Sequence, residues 1–388
     1  MGGTIEFQSK QGVGTTAIIK IPFKLGPQDI SSKTTNYDNV SVSFEPGINF
    51  IVGNNGTGKT NLVEAIYFLS LSRSFKKCSD EDIIKRDKTS AELTIEYFSE
   101  KDKEEHLIGA TITKKGKAFY FDREKVPQLS KVLGNLSSTS YDPSSVFMFK
   151  DDPQERRRFL DETLGVLSKD YLYTLSRYKK ILKERNTALS QSEYDRDVLA
   201  VLTKELIKCD YIIAKQRFGL VERLNTLVDE IFREIEPNKK LELKYVSTLP
   251  NITDSKTFME QVEILFEKKK SEEAIKKCTL IGIHRDDLKA KIDNQDLDSY
   301  CSQGQNRLAT FALKMAVAKL IEEIKGEKPI IILDDVLSDL DITRCKNILM
   351  YLEKGGQTFI TVAEIGKVEL TKNYKLYEID NNEIVRRR

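Results

Sequence analysis

The apolar positions of this chain change period along its length, and each change predicts a different kind of element. Residues 40–53 begin in alternation, with Val40, Val42 and Phe44 on one face, turn at Pro46-Gly47, and continue as the largely apolar "INFIVG". Alternation predicts a half-buried strand, a continuous apolar run predicts a strand covered on both faces, and Pro-Gly supplies the turn between them. "GNNGTGKTN" follows, and "LVEAIYFLSLS" after it reads as a helix. Between 91 and 121, "ELTIEYF", "HLIGATITKKG" and "AFYFD" read as antiparallel strands joined by charged or glycine-containing hairpin connections.

The middle of the chain is helical. No proline occurs between Pro153 and Pro237, and Leu199, Leu202, Leu206, Cys209, Ile213, Leu220, Leu224, Leu227, Ile231 and Ile235 recur at steps of mostly three and four. That spacing predicts a long amphipathic helix. A second helical region, 156–189, precedes it, and "LSQSEYDRD" is the expected turn of an antiparallel pair. A helix of about 35 residues spans about 50 Å, which is an arm and not a very long coiled coil. Strand alternation returns at 241–246 ("LELKYV"), followed by a helix near 256–270. Leu308, Phe311, Ala312, Met315, Ala316 and Leu320 mark another helix. The chain then reads as the strand "IIIL", a helix over 341–354 and the strand "QTFITVA". Uniformly apolar strands alternating with helices predict a parallel sheet covered on both faces. No internal repeat is present.

Composition narrows the setting. A chain of 388 residues with 39% hydrophobic content buries a sizeable core, by length as two domains. Lys and Arg number 62 against 60 Asp and Glu, so any basic surface for nucleic acid must be local. Mean hydropathy is −0.41 and no apolar run is long enough to span a bilayer. The first residues lack a charged segment leading into an apolar core, so no secretory signal is read. The five cysteines are odd in number and scattered, which predicts neither a disulfide framework nor a zinc site and points to the cytoplasm. Two histidines, His106 and His284, are too few for a histidine metal site.

Three motifs carry chemistry. Gly53-Asn54-Asn55-Gly56-Thr57-Gly58-Lys59-Thr60 fits G-x-x-x-x-G-K-[ST], and Asn61 continues it. It follows an apolar strand and opens a helix, the context in which backbone N–H groups wrap a phosphate. Lys59 then reaches the β- and γ-phosphates and Thr60 binds Mg²⁺. Asp334 and Asp335 end the "IIIL" strand, where Asp334 would hold Mg²⁺ and Asp335 would activate the attacking water. The third motif is "CSQGQNR" at 301–307, small polar groups and a glycine at a helix start, which suits an anion. A second phosphate-binding helix start in a chain that already has one is surplus unless it serves another subunit. In ABC-type ATPases the Ser-x-Gly-Gln element of one protomer caps the γ-phosphate held by the other, in a head-to-tail dimer with twofold symmetry. Ser302, Gln303, Gly304 and Gln305 would do so here, and Asp341, at the end of Ser338-Asp339-Leu340-Asp341, lies in the loop that crosses such an interface. The fold class expected is α/β: an ABC-type P-loop ATPase head of mixed sheet and helices with an antiparallel β subdomain and an inserted α-helical arm. The expected divisions are an atypical segment 1–30, head 31–150, arm 151–275 and head 276–388.

From about Tyr37 to the C-terminus the chain resembles the RecF family of bacterial replication and recombination-repair ATPases. The resemblance rests on "PGINFIVGNNGTGKTNLVEAIYFLSLSRSFK", "YDPSSVFMFKDDPQERRRFLDETL", "HRDDLKAKIDNQDLDSYCSQGQNRLATFALKMA" and "IIILDDVLSDLD". It implies ATP and Mg²⁺ as ligands and a weak, DNA-stimulated ATPase. It also implies an ATP-dependent homodimer on double-stranded and gapped DNA, and work with RecR and RecO in loading RecA at gaps. The alternatives are the ATPase subunit of a nuclease-linked repair or defence system, and a degenerate homologue that does not hydrolyse ATP. The family's opening strand, "LxLxNFRNY", is replaced here by "DISSKTTNYDN", which puts contacts on the adenine side in doubt, and "GIHRDD" at 282–287 replaces "GPHRDD". Residues 1–23 resemble instead the C-terminal end of a sensor histidine kinase ATP-binding domain. "GVGT" is read there as a remnant and not a second nucleotide site, and the segment is counted outside the head although it could supply replacement β-structure.

Basic residues placed by the resemblance near DNA are Arg73, Lys76 and Lys77 after the phosphate-loop helix, and Arg156, Arg157 and Arg158 at the start of the arm. Lys268, Lys269 and Lys270 read as a solvated face. Arg285, Asp286 and Asp287 are expected to brace the loop before "SQGQ" by ion pairing, and His284 to be structural or to sense nucleotide. Glu364 stands where many ABC ATPases carry a γ-phosphate-sensing histidine, so that role would pass to Thr361 or be absent.

Overall fold

The structure, a computed structural model, describes residues 18–21, 40–76, 79–85, 88–127, 129, 132, 134–150, 152–191, 195–299, 301–338, 340–364, 366, 372–380 and 383–388. The chain divides into two compact units, Met1–Asp142 with Lys325–Arg388, and Pro143–Ile324. The first unit opens with β1 (Ile18–Ile21), β2 (Val40–Ser43), β3 (Ile48–Val52) and α1 (Lys59–Leu71). It continues with β4 (Ser90–Phe98), β5 (Glu105–Thr113), β6 (Gly116–Phe121), β7 (Glu124–Val126) and β8 (Ser138–Tyr141). The second unit holds α2 (Pro153–Leu167), α3 (Lys169–Ser190), α4 (Arg196–Ile235), β9 (Leu241–Val246), α5 (Ser255–Lys276), β10 (Asp287–Ile292), β11 (Gln295–Asp296) and α6 (Gln303–Lys325). The chain then returns to the first unit with β12 (Ile330–Asp334), α7 (Ile342–Leu352), β13 (Thr358–Val362), β14 (Tyr374–Asp380) and β15 (Glu383–Arg386).

Two sheets build the first unit. One has the order β15-β14-β3-β13-β12-β8, and all its neighbours run parallel except the β14–β15 hairpin. β3, β12 and β13 are buried at every residue, which is why they read as predominantly apolar runs. β8 is buried just as completely but reads "STSY", and polarity hides it from the hydrophobic pattern. The Ser138 hydroxyl is satisfied against Ser70 of α1. The second sheet, β2-β1-β4-β5-β6-β7, is antiparallel throughout. Helix α1 contributes to one core with both sheets, which is why it is apolar around most of its circumference. Phe68 of α1 stacks on Phe119 of β6, and Phe44 meets Phe359 and Tyr377 edge-on at 4.8 and 4.7 Å.

The N-terminal segment departs from expectation. Ile18–Ile21 is not outside the head: it pairs with β2 from Ile18↔Ser43 to Ile21↔Val40 and with β4 from Ile18↔Glu96 to Lys20↔Thr94. The alternating segment 40–43 and the long strand 90–98 would otherwise each present an open row of N–H and C=O groups, and β1 closes both. "GVGT" itself, residues 12–15, lies outside the described residues.

In the second unit the helical region 156–189 is two helices. Ser168 is extended (φ −145°, ψ 115°), ends α2, and caps α3 by accepting from Tyr171 N. α4 runs for 40 residues, about 60 Å at 1.5 Å per residue, and begins at Asp195, whose carboxylate accepts from Asp197 N and Val198 N. α3 and α4 pack side by side, with Leu206, Ile213, Leu224, Ile231 and Phe232 buried. β9, β10 and β11 form a small antiparallel sheet, registered from Asp287↔Val246 to Ile292↔Leu241.

Candidate active site

The phosphate-loop motif leaves the end of β3 and enters α1 at Lys59. Gly56 (φ 86°) and Gly58 (φ 97°) occupy the left-handed region, which explains glycine at both. Gly53 is required for space, since a Cβ there would lie 2.9 Å from the Ile379 carbonyl oxygen. Thr57 folds the loop on itself, its hydroxyl donating to Asn54 O at 2.9 Å. Asn54, Asn55 and Gly56 are exposed at the crest. Lys59 is buried, and its ammonium donates to Gly53 O (2.6 Å) and Asn54 O (2.9 Å). Burial lowers its pKa, against the pull of Asp335 and Asp334. Those carbonyls occupy the donors that a triphosphate would take.

The two acids stand beside this loop. Asp334, buried, accepts on Oδ1 from the hydroxyls of Thr60 (2.9 Å) and Thr361 (2.7 Å). Its burial raises the carboxyl pKa, opposed by those two hydrogen bonds. Asp335 is exposed and adopts φ 49°, unusual for a residue with a side chain. The pair therefore divides into an inner carboxylate beside Thr60 and an outer one toward solvent. Among the described residues no three His, Cys, Asp or Glu side chains converge as a metal site. The hard oxygens of Thr60 and Asp334 suit Mg²⁺, which usually takes one or two protein ligands and completes its shell with phosphate and water. Asp341 caps α7, accepting from Arg344 N at 2.9 Å, and Asn61 accepts from Lys76 Nζ at 2.9 Å. Glu364 is exposed beyond β13.

In the second unit "SQGQ" opens α6 through a reciprocal cap. Ser302 Oγ accepts from Gln305 N (3.2 Å), and Gln305 Oε1 accepts from Ser302 N (2.8 Å). The hydroxyl is the acceptor in this pair. Gln303 and Gly304 form the first turn beside it.

Of the residues in "HRDD" expected to form ion pairs, Asp286 and Asp287 do so, with arginines of α4 and α2, whereas Arg285 donates to Thr279 O at 2.9 Å. Arg156 grips Asp287 with two nitrogens (2.6 and 3.0 Å), and Arg157 donates to Asp286 O at 2.8 Å. The buried Asp286 carboxylate accepts from Tyr245, from Ser247 (2.5 Å) and from Arg217 (3.3 Å). Arg217 is itself buried and also reaches Asp161, Tyr171 and Ile283 O. His284 receives the Tyr178 hydroxyl at Nδ1 (2.6 Å) and lies 3.0 Å from Thr279 O at Nε2. It is a structural residue of this unit. Arg217 and Tyr178 belong to no local motif, because their partners lie far away in sequence.

The DNA candidates separate. Arg156 is buried and committed to Asp287, so its fork is occupied inside the fold and it is withdrawn as a phosphate contact. Arg158 pairs with Glu162 (2.7 Å), and Lys76 pairs with Glu64 (2.5 Å). Arg73 is half-buried just beyond α1, and Lys77 lies outside the described residues. Lys269 and Lys270 pair with Glu272 and Glu267 along α5, as a solvated helix face does.

Over residues 31–384 the sequence matches the family described as RecF/RecN/SMC N terminal domain. The chain belongs to this family. Among curated relatives, the DNA replication and repair protein RecF of Oenococcus oeni is 35% identical over 363 residues, covering 90% of this chain and 96% of that protein. RecF of Clostridium botulinum strain Loch Maree is 36% identical over 355 residues, covering 90% of this chain and 96% of that protein. A solved structure described as the recombination mediator protein RecF-ATP in the RecFOR pathway superposes with a TM-score of 0.85. It is 28% identical, and the match covers 98% of this chain and all of that one. An Smc head domain from Pyrococcus furiosus, at 14% identity and TM-score 0.54 with 95% of each chain covered, shares the fold alone. The fold is thus that of an ABC-type ATPase of the RecF kind. No helix among the described residues is long and apolar enough to cross a membrane.

Proposed function

We propose that this protein is an ATP-driven DNA-binding dimer of replication and recombinational repair. The observation that carries the reading is the convergence of Lys59, Thr60, Asp334 and Asp335 at the ends of β3 and β12. Lys59 exchanges the carbonyls of its own loop for the β- and γ-phosphates. Asn55 to Thr60 offer backbone N–H groups, Thr60 and Asp334 would hold Mg²⁺, and Asp335 orients the attacking water. A Mg²⁺ ion held there would neutralise the negative charge that develops on the departing ADP. Ser302 to Gln305 close the γ-phosphate of the second copy, with Asp341 at the same interface, so that nucleotide is the adhesive between protomers. Hydrolysis removes the group both protomers hold and favours separation. Double-stranded and gapped DNA is the third ligand, met through phosphate contacts from Arg73, Lys76, Lys77, Arg157 and Arg158. RecR and RecO are the partners, as in the RecFOR pathway in which the solved relative is placed, and RecA loading at gaps is the outcome.

Sedimentation velocity of the wild type and Lys59→Ala, with and without ATP-Mg²⁺ and gapped duplex, tests this. Dimerisation of the wild type alone, dependent on ATP and increased by DNA, is the expected result. A wild type that stays monomeric with ATP would leave the motifs as ancestry without activity.

A further inference from the structure

β13 runs between β3, which delivers the phosphate loop, and β12, which delivers the two acids. Its residue Thr361 is paired in register with Asp334 on one side and Ile51 on the other, and is fully buried. A threonine hydroxyl has one proton to give and lone pairs to receive. Here both functions are used on the acid pair. The proton goes to Asp334 Oδ1 at 2.7 Å, and the oxygen receives the Asp335 N–H at 2.9 Å. Thr60 donates to that same Oδ1, so one threonine from β13 and one from the first turn of α1 hold a single carboxylate oxygen and neither engages Oδ2. The Asp335 N–H belongs to a residue at φ 49°, a backbone state that needs an external hold. One hydroxyl thus sets the rotation of the inner carboxylate and the peptide that carries the outer one.

We propose that Thr361 is the positioning residue of the hydrolytic site, orienting Asp334 for Mg²⁺ and Asp335 for water through a single shared hydroxyl. This rests on the ATPase reading above. Thr361 commits both functions of its hydroxyl to the two aspartates, so it acts through them. Its loss is expected to fall on metal use and turnover and not on capture of the triphosphate, which belongs to the phosphate loop. Removing an outer-shell partner of a metal ligand typically costs about 10–100-fold in metal affinity or activity.

The test uses the full chain as wild type, Thr361→Val and Thr361→Ser. The readouts are ATP turnover against Mg²⁺ concentration, the KM for ATP, and the binding of a fluorescent ATP analogue in EDTA. Valine keeps the shape and deletes the hydroxyl; serine keeps the hydroxyl and deletes the methyl. For Thr361→Val we expect kcat to fall about 10–100-fold and the Mg²⁺ half-saturation to rise. KM for ATP and metal-free analogue binding should stay near the wild-type values, and so should Thr361→Ser in every readout. The proposal is overturned if valine matches the wild type in both turnover and Mg²⁺ dependence, or if serine loses as much as valine, which would make the methyl and packing responsible. It is likewise overturned if valine loses metal-free binding, a sign that the loop itself has collapsed. A wild type that hydrolyses no ATP would instead overturn the ATPase reading, and the proposal with it.

Discussion

Single side chains in this protein show how burial and partners decide what a common residue does. The two histidines are the clearest case, because they are pushed in opposite directions. Burial opposes charge on His106, but Asp122 and Asp102 stand 3.0 Å from its two ring nitrogens and together raise its pKa. Two carboxylates are both acceptors, so the ring must carry two protons to satisfy them. His284 is pushed down to about 4, first by burial, with the guanidiniums of Arg285, Arg157 and Arg185 also opposing its charge. Its Nε2 must donate to Thr279 O, so Nδ1 accepts from Tyr178 and the neutral ring fits as it stands. The signs follow by linkage. The His106 contribution is complete below the unfolded value of about 6.5 and is lost as pH rises through its higher folded value. The His284 site loses stability as pH falls from about 6.5 toward 4, on the order of 3 kcal/mol at about 1.4 kcal/mol per unit. With only two histidines, an imidazole NMR titration reads both; His284 titrating near or above the ordinary value would contradict this account. Arg217 gives a second prediction at this scale. Arg217→Met strands Asp161 and the buried Asp286 and should cost about 3–5 kcal/mol in urea unfolding, with Asp286→Asn recovering part of it. These two predictions mark the limit of legibility. Lys59, Asp334 and Ser302 are legible because each lies in a short contiguous motif. Tyr178 with His284, or Thr361 with Asp334, meet only after folding.

At the scale of elements, legibility follows the apolar pattern and fails where that pattern is missing. β3, β12 and β13 are predominantly apolar and read directly as buried strands; β8 is mostly serine and threonine yet equally buried, with Ser138 satisfied by Ser70. Ser168 splits one helical region in two by capping, a signal that a helical period does not contain. β1 is the most consequential departure. A strand from residues that precede the RecF-like part of the sequence lies between β2 and β4 and pairs with both. The physical demand at that slot is for paired N–H and C=O groups on both sides, and any extended segment can supply them. Deleting residues 1–23 should therefore lower the melting temperature and increase aggregation by opening two strand edges at once. Ile19→Pro should reproduce part of the loss, since proline removes a ladder donor and breaks the pleat of a central strand. Thermal melting followed by light scattering measures both effects. A deletion variant that melts and scatters like the full chain would show that β1 contributes nothing to the head.

At the scale of the whole molecule, the two helix starts proposed to bind phosphate lie on separate compact units: the phosphate loop on the first and the capped "SQGQ" helix on the second. If they serve different nucleotides in a head-to-tail pair, each site takes Lys59 from one protomer and Ser302 from the other. That arrangement has a consequence that a site built within one chain does not share. Lys59→Ala lacks the loop but keeps Ser302; Ser302→Arg keeps the loop but blocks the cap with a bulky cation. Each alone should fail to dimerise with ATP. Mixed, they can form a heterodimer in which one site is whole and the other doubly broken. ATP-dependent association should then reappear in the mixture, measurable by sedimentation velocity with one partner fluorescently labelled. Adding duplex DNA should strengthen it, and the gain should shrink steeply with salt as phosphate contacts release counterions. If each protomer completed its own site, mixing would restore nothing, because neither chain contains both an intact Lys59 and an intact Ser302. Recovery in the mixture therefore decides between sites completed between chains and sites completed within one, and the outcome is independent of how fast ATP is hydrolysed.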